Sequence, residues 1–94
     1  MEKRNYNYLE RIVKGFANHR RIEILTLLNQ HPELSVEEIA KILNVNIKTI
    51  SAHIIKLAIA GLILKKHSGN SIRHKVSDRG KTILKFLRII ELNN

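Results

Sequence analysis

Apolar residues recur every three or four positions through much of this 94-residue chain, the spacing of helices that bury one face. Over residues 5–16 the stripe is Leu9, Ile12, Val13 and Phe16, which predicts a first helix weakened near its end by Gly15. Asn18 is placed to cap a second helix carrying Ile22, Leu25 and Leu28, with Ile24 and Leu27 alongside. That helix must stop at His31-Pro32, because the residue before a proline is pushed out of the helical region. Ser35-Val36-Glu37-Glu38 reads as a capping box opening a short third helix that buries Ile39, Ala40 and Leu43. Asn44-Val45-Asn46 leaves room only for a turn. Asn46 then caps a fourth helix, residues 47–60, whose buried stripe is Ile50, Ile54 and Leu57 and whose end is marked by Gly61. The third and fourth helices therefore read as a helix-turn-helix pair.

After Gly61 the period shortens to two, the signature of strands. A two-residue loop at Gly69-Asn70 would pair Leu64 with Lys75 and scatter the apolar side chains over both faces. A three-residue loop Ser68-Gly69-Asn70, pairing His67 with Ser71, puts Leu62, Leu64, Ile72, His74 and Val76 on one face and Lys65, Arg73 and Lys75 on the other. The expected hairpin, residues 62–76, takes this second register. Ser77-Asp78 caps a last helix to about Leu92, and Ile83, Phe86, Leu87 and Ile90 share its surface with Leu84, Ile89 and Leu92. So wide an apolar surface needs a second partner. A second copy packed about a two-fold axis, with help from the first helix, is the expected one. The residues assigned to that interface are Leu9, Ile12, Val13, Phe16, Leu84, Leu87, Ile89 and Leu92, on segments 1–17 and 78–94. The fold class is thus mainly α with a small β-hairpin: four helices, a two-stranded wing and a C-terminal helix in one domain spanning 1–94.

Charge sharpens this. There are 17 Lys and Arg against 8 Asp and Glu, a net +9, and residues 62–94 hold eight of the basic residues and two of the acidic ones. Such a surface suits a polyanion, and nucleic acid comes ahead of an anionic membrane because no apolar run approaches the roughly 18 residues of a spanning helix. No signal-peptide pattern precedes the first helix. Cysteine is absent, which removes disulfides and thiolate metal sites and fits a reducing cytoplasm, the expected location. Four aromatic residues and no tryptophan argue against stacking platforms for single strands.

On the fourth helix, the side opposite Ile50 carries Lys48, Ala52 and Ile59, flanked by Thr49, Ser51, Ile55 and Lys56. Small, hydroxyl and cationic residues let a helix come within hydrogen-bonding distance of base edges in a major groove.

In order along the chain, FANHRRIEIL, ELSVEEIAKIL, TISAHIIKLAIAGLI and GLILKKHSGNSIRHKVSDRG resemble the segments of ArsR-type winged helix-turn-helix repressors, with MarR-like relatives behind them. The resemblance spans about residues 16–80. It matches at Arg21 and Ile24-Leu25, at Ser51, His53, Leu57, Gly61 and Leu62, and at Lys66, Gly69, Val76 and Ser77. It departs at His19, commonly proline in that family, and at His74, often tyrosine. Ile47 and Ile55 stand where polar residues are more frequent, and Ala52 replaces the first of a usual histidine pair.

Winged-helix logic then assigns Asn46, Lys48, Thr49, Ser51, Ala52 and Lys56 to the major groove, with His53 at its edge as a packing residue within reach of a phosphate. The amides at Ser35 and Val36 offer a phosphate site at a helix start. Lys65, Lys66, Arg73 and Lys75, with the tip Ser68-Gly69-Asn70, are assigned to the DNA backbone or minor groove. The resemblance implies a homodimeric regulator, probing an imperfect palindrome of double-stranded DNA and repressing by occlusion.

No metal and no cofactor are expected. The family's cysteine or Asp/His ligand sets are missing, His67 and His74 fall on opposite faces in the chosen register, and His19 and His31 lie far apart on one helix. No phosphate loop, nucleophile elbow or convergent carboxylate pair points to an enzyme. The alternatives are a protein-interaction winged helix docking through Ile55 and Ile59, and a non-specific architectural or RNA-binding protein.

Overall fold

Each helix begins where a side chain takes up its first amides. The computed structural model describes residues 3–94, and it contains α1 (Tyr6–Phe16), α2 (His19–Gln30), α3 (Val36–Leu43), α4 (Ile47–Ile59), strands β1 (Ile63–Ser68) and β2 (Ser71–Val76), and α5 (Asp78–Leu92). Asn5, Asn18, Ser35, Asn46 and Ser77 accept those amides, satisfying donors that have no partner inside a helix. At Ser35 the capping box is complete, since Glu38 reaches back to the Ser35 amide. α3 ends at Asn44 in the left-handed conformation, φ 55°, which asparagine tolerates better than most residues. The chain then turns by 119° between α3 and α4, a helix-turn-helix angle.

The core is where these elements bury their stripes together. Ile24, Leu25 and Leu28 of α2 meet Ile39 of α3, Ile50, Ile54 and Leu57 of α4, and Leu62, Ile63 and Val76 at the base of the hairpin. Full burial of such a side chain stabilises by about 1.5–3 kcal/mol. Phe16 belongs to this set as well: it is only 8% exposed, so it is a core residue of its own chain and not the interface residue expected from the stripe of α1. Gly15 beside it is where α1 crosses the end of α4, for a Cβ there would lie 2.3 Å from the Cβ of Ala60. Arg79 fastens the same corner. It donates to the Ala60 carbonyl at 2.9 Å and to the Tyr8 hydroxyl, with its guanidinium over the Tyr8 ring.

The hairpin corrects the expected register. The loop has two residues, Gly69-Asn70, and the pairs are Ile63 with Val76, Leu64 with Lys75, Lys65 with His74, Lys66 with Arg73, His67 with Ile72 and Ser68 with Ser71. Gly69 has φ +60° while Asn70 stays at negative φ, the order a two-residue turn with glycine first requires. One face therefore carries Ile63, Lys65, His67, Ile72, His74 and Val76; the other carries Leu64, Lys66, Arg73 and Lys75. Leu64 is 49% exposed and not part of an apolar inner face. His67 and His74 share a face, contrary to the expectation. The alternation misleads because the chain enters β1 straight from the core, burying the consecutive residues Leu62 and Ile63. β2 is also held on its far edge, where Leu34 forms a bridge to His74: the Glu33 amide donates to the His74 carbonyl at 2.8 Å and the His74 amide to the Leu34 carbonyl at 2.9 Å.

α5 packs along one side as far as Leu87. A Cβ at Gly80 would lie 2.3 Å from the Leu62 carbonyl oxygen, and Ile83, Leu84 and Leu87 are half-buried against the core. Beyond them Phe86, Ile89, Ile90 and Leu92 are exposed, as are Tyr6, Leu9 and Val13 of α1. The molecule is correspondingly elongated, 49 × 30 × 20 Å. Ile12 is half-buried on the core side of α1. The segment 1–17 expected to dimerise begins with residues 1 and 2, which lie outside the described residues. No single helix among the described residues is long and apolar enough to cross a membrane.

Candidate nucleic-acid interface

With Ile50, Ile54 and Leu57 turned inward, α4 presents the rest of its circumference. At 100° per residue, Lys48, Ala52 and Ile59 face directly away from the core, Ile47, Ser51 and Ile55 lean to one side, and Thr49, Lys56 and His53 lean to the other. Ile47, Ser51 and Ile55 form one wall of a cleft of about 670 Å³ whose opposite wall is the hairpin, contributed by Lys65, Ser68, Asn70, Ser71 and Ile72. The Ile47–Ser51–Ile55 flank of α4 and the hairpin thus open on one cleft.

His74 closes the floor of this cleft. It is 2% exposed, and its Nδ1 lies 3.1 Å from the Leu34 carbonyl. Burial pushes its pKa below the usual histidine value, against the opposing pull of that carbonyl, which leaves the ring neutral near pH 7. A neutral, hydrogen-bonded histidine is a polar pin between hairpin and core.

The expected cations of the hairpin divide by face. Lys65 lines the cleft with the tip residues Ser68 and Asn70, while Gly69 has open space about it. Lys66, Arg73 and Lys75 lie on the other face and are not brought together with α4. Two of them already have anionic partners: Lys66 pairs with Glu33 at 3.4 Å, and Arg73 donates to the Glu33 carbonyl at 2.7 Å and to Glu38 Oε1 at 3.0 Å. Arg73 therefore ties the hairpin to the turn before α3. Ser35 departs from its expected role too. It is buried, its hydroxyl accepts from the Glu38 amide, and its own amide donates to Glu38 Oε1 at 2.9 Å. The Glu38 carboxylate already fills the place offered to a phosphate, and the bonds from Ser35 hold its pKa below the usual range, with Arg73 helping. Asn46 likewise uses its side-chain oxygen on the Lys48 amide.

On the opposite flank of α4 the structure brings cations of α1, α2 and α5 that were not expected contacts beside the expected Lys56. His53 is half-buried, and its pKa is lowered by burial first and then by Arg21, Lys56, Arg20 and His19. The start of α2 therefore stands beside the edge of α4. Arg20 is paired with Glu23, but Arg21 Nε is buried with no hydrogen-bond partner among the described residues. A second cleft, about 550 Å³, is lined by Arg11, Lys14, Arg21, Lys56 and Arg79, with no acidic side chain among the described residues that line it. The sequence signal was His19-Arg20-Arg21 immediately after a cap, where side chains fan out from a helix start.

Among the described residues, no group of three or more His, Cys, Asp or Glu side chains converges on a point that could hold a metal ion.

Comparison with known proteins agrees with this geometry. A homodimeric winged helix-turn-helix DNA-binding domain from Mycobacterium bovis, described as a possible ArsR-family transcriptional regulator, is 26% identical over 97% of this chain and 90% of that one, with a TM-score of 0.83. Reduced HlyU from Vibrio cholerae is 26% identical over 92% and 90%, with a TM-score of 0.77. The transcriptional repressor PagR of Bacillus anthracis is 26% identical over 88% and 99%, with a TM-score of 0.76. No curated protein sequence matches the chain. The fold is that of winged helix-turn-helix regulators of the ArsR and MarR type. Because residues 17–75, from the start of α2 to the end of the hairpin, match the MarR family model, the chain belongs to the MarR family of winged-helix DNA-binding transcriptional regulators.

Proposed function

We propose that this protein binds duplex DNA sequence-specifically as a homodimer and represses transcription by occupying a promoter. The observation that carries the proposal is the shared orientation of α4 and the hairpin, which meet across one cleft. A helix that enters a major groove and a hairpin that follows the backbone beside it must point the same way. In this reading Lys48, Thr49, Ser51, Ala52 and Lys56 face the bases. Lys65 and the Ser68–Asn70 tip follow the backbone on one flank, and Arg21 meets it on the other. A net charge of +9 supplies the attraction, and binding should weaken steeply with salt as counterions are no longer released.

The exposed second half of α5 and the exposed stripe of α1 support pairing of two copies, as in the homodimeric mycobacterial domain. Leu9, Val13, Ile89 and Leu92 would lie in that interface, with Ile12, Leu84 and Leu87 at its margin. A two-fold axis would set two α4 helices about 34 Å apart, one turn of DNA, and select an imperfect palindrome. Repression is the role of PagR and is assigned here by that likeness. The protein acts in the cytoplasm, without metal or cofactor.

Selection from a random duplex pool, followed by gel-shift titration at several salt concentrations and sedimentation of the free protein, tests the proposal. A two-fold symmetric motif bound by a dimer is the expected result. No salt-sensitive binding below micromolar concentration, or a monomer that binds unrelated duplexes equally, would overturn it.

A further inference from the structure

The hydrogen-bonding side chains on the exposed surface of α4, Lys48, Thr49, Ser51, His53 and Lys56, exclude the types that make paired contacts to one base. Between Ile47 and Ile59 there is no Arg, Asn, Gln, Asp or Glu, so the paired contacts that mark adenine, and the acceptors that mark cytosine, are missing. Lys48 and Lys56 are single flexible donors that suit a phosphate or a guanine edge. What the outward side offers instead is apolar: Ala52 is exposed, Ile55 is 53% exposed and Ile59 is 79% exposed. In a major groove the only apolar group at a base edge is the C5 methyl of thymine.

We propose that Ala52, Ile55 and Ile59 read thymine methyl groups, so that the half-site of this regulator is specified mainly by its thymines. The inference rests on the DNA-binding function proposed above. A duplex is the fitting occupant of this patch because Lys48 and Lys56 lie beside it, Ile55 lines the cleft shared with the hairpin and Lys65, and Ile59 lines the second cleft with Arg11, Lys14, Arg21 and Lys56. Helical rise places the three side chains along about 10 Å of α4, comparable to three base-pair steps at about 3.4 Å each.

The test removes the methyls and nothing else. Half-sites selected from a random duplex pool should carry thymine at two or more fixed positions. Resynthesis with deoxyuridine at those positions keeps every hydrogen-bonding edge, and binding should fall about fourfold per methyl, the equivalent of about 0.8 kcal/mol. In Ile55→Ala the uracil penalty should shrink towards onefold at one position of each half-site and persist at the others. Ile55 is exposed, so the variant should keep the circular dichroism and melting temperature of the parent. Selected half-sites without thymine, or uracil duplexes bound as tightly as the thymine forms, would overturn the inference while leaving the regulator reading intact. Absence of salt-sensitive binding to any duplex would overturn both.

Discussion

Replacing Arg73 by alanine separates two roles a basic hairpin residue can have. In the structure Arg73 donates to the Glu33 carbonyl at 2.7 Å and to Glu38 Oε1 at 3.0 Å, so its charge is already engaged within the fold. A hydrogen bond from a charged donor contributes about 1.5–3 kcal/mol. With its side chain 36% exposed, Arg73 belongs at the low end, and about 1–1.5 kcal/mol is the expected loss of stability. The Glu38 ion pair is exposed enough to add little. In a domain of this length each kcal/mol lowers the melting temperature by about 4–8 °C, so Arg73→Ala should melt about 4–12 °C lower. The number of phosphates neutralised should not change, and the slope of log affinity against log salt should stay as in the parent. Lys65→Ala is the contrast. It faces the cleft beside α4, and its loss from both protomers of the proposed dimer should flatten that slope by about 1.8, one phosphate each, while leaving the melting temperature in place. Thermal unfolding and fluorescence polarisation across a salt series read both quantities. If Arg73→Ala melts with the parent and flattens the slope as Lys65→Ala does, the tether is wrong and Arg73 is a phosphate contact.

Three further predictions follow from packing and charge. Gly15→Ala gains about 1 kcal/mol of helix propensity, but the new Cβ at 2.3 Å from Ala60 Cβ has no flexible neighbour to displace. Overpacking of about 1–3 kcal/mol should win, giving a net loss in urea unfolding that Ala60→Gly restores. The pKa of His74 is lowered by burial, so below about pH 6.5 the unfolded chain binds a proton that the folded chain refuses, and stability should fall as pH drops from 7 towards 5. His74→Gln should show a shallower decline, with His53 contributing the remainder in the same direction. Glu38, whose pKa lies below 4.5, acts only at lower pH; an equal decline in parent and variant would exonerate His74. Ile89→Glu, placed on the bare half of α5, should convert a sedimenting dimer to a monomer without lowering helix content, and a dimer that persists would remove α5 from the interface.

Local signals were legible in the sequence, and long-range ones were not. The caps at Asn18, Ser35, Asn46 and Ser77, the stripe Ile50-Ile54-Leu57 and the left-handed Gly61, φ +72°, each depend on neighbours within four residues. The hairpin register depends on Leu34, some 40 residues away from His74 in the chain, and on Ile63 being drawn into the core; strand alternation contains neither. Arg73 and Lys66 looked like free phosphate contacts because their partners Glu33 and Glu38 lie outside the hairpin. Lys56 was an expected contact, but the approach of Arg21 to it was hidden for the same reason, since α2 and α4 meet only in three dimensions. Phe16 was misplaced because the stripe of α1 is wider than the strip its own core covers.

Arg79 joins three parts that a regulator would need to move as one. Arg79, in the first turn of α5, donates through one guanidinium to the Tyr8 hydroxyl of α1 and to the carbonyl of Ala60 at the end of α4. Where two copies are joined through α1 and α5, this guanidinium couples each α4 to the seam. A few degrees of rotation at the seam then become a change in the distance between heads, and a signal could set operator affinity without touching a base-contacting residue.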